Sequence, residues 1–302
     1  MIIVTGTKRS GTSMWMQVLK AGGIPTVGKE FSGIWKDTIY QANKRGFYES
    51  IFRRGIYYQT NPHPTTGSWL SPRGTENLGV KVFIPGVVRT DFSYLTRVIA
   101  TVRPFRQYVA SMDRLLALER EGMAREGKTR ARPTPVNPIL GWWLENFLLV
   151  RDITTRGYPA RLVSYEAMLD DPEAICAQTF NWLELGDDQA AARAVHPEER
   201  TQAAVEDSTI THAFEDVFDE YHHLIRTGAE LKPSFLAKLN EVHQQILPEI
   251  LDDLKRFRSE AQTLRRKREP DPKKDPLSVD RLDAIFHGLD EHDAIEVEVR
   301  KA

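Results

Sequence analysis

Hydrophobic positions along the chain fall into two rhythms. Short apolar-rich runs occupy residues 2–5, 79–84, 97–102 and 161–164, each ended within a few positions by glycine, proline or a polar residue. Runs of this length and kind predict buried strands. Between and after them, apolar residues recur at three- and four-residue spacing over 14–21, 105–121, 142–153, 172–185 and 234–268. That spacing puts one apolar stripe on a helix. Gly22-Gly23 stops the first predicted helix and Gly186 the fourth, Pro104 opens the second, and Pro85-Gly86 ends the second strand. Strands alternating with helices predict an α/β fold, a parallel sheet flanked by helices on both faces.

Two stretches break the rhythm. Residues 24–79 are rich in aromatics, glycine and proline and predict short helices and loops, a wall for a ligand. Residues 122–138 are basic and rich in glycine and proline, the pattern of a mobile loop; Arg125, Lys128, Arg130 and Arg132 there suit closure over an anionic acceptor. The predicted organisation is one domain over 1–258 and a charged extension over 259–302. The extension holds the end of a long helix, a polar linker at 269–276 and an amphipathic tail. No internal repeat is visible.

Composition narrows the function. Of 302 residues, 41% are hydrophobic and 27% charged, which excludes wholesale disorder. Lysine and arginine total 41 against 42 aspartate and glutamate, a formal charge of −1. A near-neutral chain has no global field to draw in nucleic acid or an anionic membrane, so neither is expected as a partner, and any anion must be caught locally. The lone cysteine, Cys176, excludes an intramolecular disulfide and a multi-cysteine zinc site. No apolar run is long enough for a membrane span, and residues 1–4 read as a strand rather than a secretory leader. A cytoplasmic setting is expected; the oligomeric state stays open.

The chemistry starts at the end of the first strand. Gly6-Thr7-Lys8-Arg9-Ser10-Gly11-Thr12-Ser13 has the glycine spacing of a phosphate loop, whose amides and following helix N-terminus wrap an anion. ATP and GTP loops need lysine directly after the second glycine. Here that residue is Thr12, and the cations have moved inside the loop as Lys8 and Arg9. A turn that binds nothing is the alternative.

Lys8-Arg9-Ser10-Gly11-Thr12-Ser13 resembles the 5′-phosphosulfate loop of sulfotransferases that use 3′-phosphoadenosine 5′-phosphosulfate (PAPS). A second segment, Val98-Ile99-Ala100-Thr101-Val102-Arg103-Pro104 through Ser111, resembles that family's 3′-phosphate motif, an arginine ending a core strand and a serine two helical turns on. Arg103 and Ser111 are eight apart, a spacing that shares one helix face. Arginine offers a forked donor set and serine a hydroxyl to a doubly charged phosphate. Proline directly after the arginine departs from the family pattern. A third segment, Arg161-Leu162-Val163-Ser164-Tyr165-Glu166 with Asp171-Pro172, resembles the family's strand ending in Tyr-Glu, which by resemblance puts Tyr165 near the adenosine; a structural tyrosine is the alternative. The resemblance spans residues 2–186 and implies a P-loop-like sulfotransferase fold with PAPS as co-substrate.

The implied reaction moves a sulfuryl group to a hydroxyl or amine of a small-molecule acceptor. It needs cations at the leaving oxygen and a base for the acceptor's proton. Arg9, with Lys8, would serve the first need; the leaving group is a phosphate, so no metal is required. For the second, Asn43-Lys44-Arg45-Gly46-Phe47-Tyr48-Glu49 resembles a segment of bacterial members whose glutamate faces the acceptor. Glu49 follows two aromatic residues, and apolar rings beside a carboxylate raise its pKa toward that of a base; a surface pairing with Lys44 or Arg45 is the alternative. His63 is the rival base. Lys81 resembles a lysine many relatives carry on the second strand, and either faces the donor or ends in solvent. Trp142-Trp143 reads as core before acceptor platform, and Arg265 to Arg268 as a solvated helix end before a nucleic-acid contact. Phe31, Trp35, Tyr40, Tyr57, Tyr58 and Trp69 suit a ring-bearing acceptor or a core. The competing functions are a nucleotide-kinase-like phosphotransferase, which Thr12 disfavours, and a non-catalytic nucleotide-binding protein.

Overall fold

The first apolar run forms β1 (Ile2–Gly6), buried throughout. After it come α1 (Thr12–Ala21), β2 (Thr26–Val27), β3 (Gly79–Lys81), α2 (Ile84–Arg89), β4 (Arg97–Val102), α3 (Phe105–Arg125), α4 (Pro138–Arg156) and β5 (Ala160–Ser164). The chain continues as α5 (Tyr165–Asp170), α6 (Pro172–Leu183), α7 (Asp188–Ala192), α8 (Glu215–Arg226) and α9 (Pro233–Arg266). The structure, a computed structural model, describes residues 1–31, 43, 45–125, 132–199 and 209–266. Trp35, Tyr40, Lys44, Lys128, Arg130, Lys267, Arg268, the 269–276 linker and the tail lie outside the described residues.

The strands pair in the order β2-β3-β1-β4-β5, all parallel. From β1 the chain builds β2 and β3 on one side, then crosses to β4 and β5 on the other. Open parallel sheets bind ligands at such a switch point, outside the carboxyl ends of the strands. The loop after β1 sits there.

Alternation along the strands sorts their side chains between two faces. Ile2, Val4 and Ile99 pack with Trp15, Leu19, Cys176 and Phe180 from α1 and α6. Ile3, Val80 and Val98 pack on the opposite side with Phe52, Val87 and Tyr158. Next to that second layer, α3, α4, α8 and α9 bury Trp142, Trp143, Phe218 and Tyr221 in the largest cluster, so the Trp142-Trp143 pair is core. Helices therefore cover both faces.

Several boundaries differ from the sequence expectation, each for a local reason. The run at 79–84 is not one strand: β3 stops at Lys81, and Ile84 begins a helix with Pro85 in its first turn, where proline's missing N–H is not needed. β2 adds an edge strand in a stretch expected to hold only loops and short helices. α6 ends at Leu183 because Glu184 already turns left-handed, at φ 54°, two residues before Gly186 (φ 87°). α3 runs on to Arg125, and Asn137 caps α4 by accepting from the Ile139 N–H (3.0 Å). Residues 132–137 are tied down, contrary to the mobile loop expected. Glu260 and Asp253 of α9 accept the Thr134 and Asn137 amides at 2.6 Å, and Arg256 donates to the Thr134 and Pro135 carbonyls. Among the described residues no helix is long and apolar enough to cross a membrane.

Candidate functional site at the head of the first helix

The loop between β1 and α1 is shaped by backbone positions that few residues tolerate. A Cβ on Gly6 would lie 2.4 Å from the Thr101 carbonyl oxygen, so only glycine lets the end of β1 pass this close to β4. Arg9 holds φ 67°, strain of the kind stored at functional sites. The Ser10 hydroxyl donates to the Thr7 carbonyl (2.7 Å), and the Thr101 hydroxyl donates to that of Ser10 (2.7 Å). Gly11, at φ 99°, is the N-cap of α1 and no side chain caps it. The first-turn amides, including those of Thr12 and Ser13, therefore have no intrahelical acceptor and point their positive end at the loop.

Two arginines meet around this loop. Arg9 Nε donates to the Ser111 hydroxyl (3.2 Å), and Arg103 Nη1 donates to the Arg9 carbonyl (3.1 Å). Arg103 lies between β4 and α3, not on the helix, so the shared-face spacing does not bring it to Ser111; the loop residue Arg9 joins them. The Arg103 guanidinium lies over the Tyr165 ring, 4.7 Å from the centroid. Tyr165 opens α5 and covers the loop's second glycine so closely that a Cβ on Gly11 would meet its Cδ2 at 2.6 Å. The Trp142 indole donates to the Arg103 carbonyl (2.9 Å), a support that the Trp-Trp pattern alone does not reveal. Burial pushes Arg9 down to about 10, and the neighbouring charges of Arg103 and Arg114 add to that. Arg114 stands one helical turn beyond Ser111, and sequence motifs did not single it out. Lys8 is half-buried beside Arg9.

A second cluster lies on the other side of α1. Lys81 does not end in solvent: its Nζ donates to the Phe47 carbonyl (2.9 Å) and the Ser13 hydroxyl (3.1 Å) and faces Glu49 Oε1 at 3.6 Å. Burial pushes Lys81 down to about 8, against the pull of Glu49. Arg53 holds the other carboxylate oxygen of Glu49 at 2.9 Å. Glu49 arrives there because its segment bridges antiparallel to Lys29, after a turn at Gly46 (φ 104°) and Tyr48 (φ 52°).

The surroundings of Glu49 differ from the expected apolar rings. Phe47 packs edge-on against Phe31, the Tyr48 hydroxyl donates to Glu30 (3.5 Å), and Glu49 itself has a cation at each oxygen. Its partners are Arg53 and Lys81 rather than Arg45, which is exposed, while Lys44 lies outside the described residues. His63 is not brought to either cluster; its Nδ1 accepts the Thr65 and Thr66 amides, each at 3.2 Å, in its own turn. Tyr58 and Trp69 are exposed, not core. Among the described residues no group of three or more His, Cys, Asp or Glu could hold a metal ion.

No protein-family model, curated protein or solved structure matches the chain. The functional reading rests on this geometry and on the motifs.

Proposed function

We propose that the chain is a sulfotransferase that moves a sulfuryl group from PAPS to a hydroxyl or amine of a small-molecule acceptor. The observation that carries this reading is the meeting of Arg9, Arg103, Ser111 and Tyr165 at the uncapped head of α1. The order of these groups matches a nucleotide phosphorylated at both ends. Arg9 and the α1 amides serve the 5′-phosphosulfate, Arg103 and Ser111 the 3′-phosphate, and Tyr165 the nucleoside. The residue directly after Gly11 is Thr12, which has no ammonium for a transferred γ-phosphate.

In the transfer, the sulfur–oxygen bond to the 5′-phosphate breaks as the bond to the acceptor oxygen or nitrogen forms. Arg9 stabilises the charge left on the departing phosphate oxygen, the kind of interaction that counts most in the transition state. Glu49 takes the acceptor's proton. Lys81, between Glu49 and Ser13, stands where the acceptor and donor sides adjoin. The test is turnover: purified protein with PAPS and a panel of phenols, sugars and alcohols should release adenosine 3′,5′-bisphosphate in step with a sulfated product. Phosphoryl transfer from ATP with Mg²⁺ and no turnover of PAPS would instead favour the kinase-like reading.

A further inference from the structure

The motifs leave out α8, yet four contacts bind it to both arms of the donor site. Arg106 of α3 reaches it with Nη2 at Glu215 (2.7 Å) and Nη1 at Asp219 (2.9 Å). Toward α5 it makes two rungs: Arg226 with Asp170 at the surface (2.9 Å), and His222 with Glu166 in the interior (3.0 Å). His222 and Arg226 are four apart, as are Glu166 and Asp170, so each helix offers one face to the other.

The inner rung is a buried polar cluster. His222 Nε2 lies 3.0 Å from Glu166 Oε2 and 3.3 Å from the Ser164 hydroxyl, which is itself 3.2 Å from the same carboxylate oxygen. The Ser164 hydroxyl also accepts the Ala167 amide (3.3 Å) and so caps α5. The His222 and Glu166 side chains are only 10% and 5% exposed, and Glu166 Oε1 is buried with no hydrogen-bond partner among the described residues. Such a pair adds little stability over well-packed apolar residues. Its chain position is what sets it apart: Ser164 and Glu166 are the residues on either side of Tyr165.

We propose that His222 is a positioning residue that, through Glu166 and Ser164, holds Tyr165 over Gly11 and Arg103 and so sets the nucleoside end of the donor site. The tether follows from the geometry; the ligand rests on the donor reading above.

Two readouts on the full chain test it. The first is the fluorine resonance of Tyr165 in fluorotyrosine-labelled protein, assigned with Tyr165→Phe. The second is calorimetric affinity for adenosine 3′,5′-bisphosphate beside inorganic pyrophosphate, which lacks the nucleoside. The double variant Glu166→Leu/His222→Leu removes both buried polar groups and is expected to melt no lower than wild type. It should nevertheless shift or broaden the Tyr165 signal and weaken the bisphosphate about tenfold, the worth of one base–aromatic stack, with pyrophosphate unchanged. Should that variant fail to fold, His222→Ala makes the same comparison, with added imidazole expected to restore the Tyr165 signal. A Tyr165 signal at its wild-type position in a folded variant overturns the proposal, and so does an equal loss of both ligands. If wild-type protein binds no bisphosphate, the donor reading fails, while the fluorine signal still decides the tether.

Discussion

The two polar clusters beside the head of α1 differ in their electrostatics. On one side Arg9 is desolvated, feels the like charges of Arg103 and Arg114, and donates a hydrogen bond to the Ser111 hydroxyl. On the other, Lys81 is more deeply buried, also feels like charges from Arg9 and Arg53, and shares a carboxylate, Glu49, with Arg53. A gathering of cations suits an anionic ligand. A carboxylate held by a cation at each oxygen is fixed in place. On the proposed function the donor belongs to the first side and the acceptor to the second, and substitutions should separate the two.

The largest expected effect is on the acceptor side. Glu49→Gln keeps the shape but accepts no proton, and should lower turnover on an alcohol about 10²- to 10⁴-fold. Adenosine 3′,5′-bisphosphate affinity, measured by calorimetry, should stay near wild type, and a phenol of low pKa should lose less rate than the alcohol. Near-wild-type turnover in Glu49→Gln, with activity abolished in His63→Ala, would move the base to His63.

Next comes Arg9→Ala, expected to cost about 10²- to 10³-fold in kcat with a much smaller loss of bisphosphate binding, because its charge acts on the departing oxygen. Equal losses in steady-state rate and in affinity would make Arg9 a binding residue only. Arg103→Ala should show the reverse balance. Its preference for adenosine 3′,5′-bisphosphate over adenosine 5′-phosphate should fall about 10- to 100-fold, the worth of a charge-assisted hydrogen bond. A variant that discriminates as well as wild type would show that the 3′-phosphate lies elsewhere.

Lys81, on the border, is read through stability rather than through rate or affinity. Burial pushes it down to about 8 from the ordinary lysine value of 10.5, so between these values the unfolded chain holds a proton that the folded chain has released. Stability then rises with pH across that window, while below about pH 8 the full cost of burying the cation persists. In urea titrations at pH 7.5 and 10.5, wild type should gain about 3 kcal/mol relative to Lys81→Met. An unchanged difference between the two proteins would mean that Lys81 titrates as an exposed lysine does.

The donor side was far more legible in the sequence than the rest. β1, the glycine loop and α1 are contiguous, and their glycines and cations are dictated by local backbone geometry, so Arg9 through Ser13 could be placed by reading alone. Arg103, Ser111 and Tyr165 could be named but not joined: the hydrogen bond from Arg9 to Ser111 spans a separation that no helical period reports. The surroundings of Glu49 are not legible from its own segment, because Lys81 comes from another strand and Arg53 from the following turn. His222 carried no signal at all. A histidine inside an amphipathic helix looks like any core position until the fold puts it beside Glu166.

The central claim is that the head of α1 receives a nucleotide bearing a 3′-phosphate. Its most direct test is calorimetric titration of the wild-type chain with adenosine 3′,5′-bisphosphate and, separately, with ATP and Mg²⁺. Saturable one-to-one binding of the bisphosphate, markedly tighter than ATP and weakened in Arg103→Ala, is the predicted result. Tighter binding of ATP with Mg²⁺, or no binding of the bisphosphate, would contradict it.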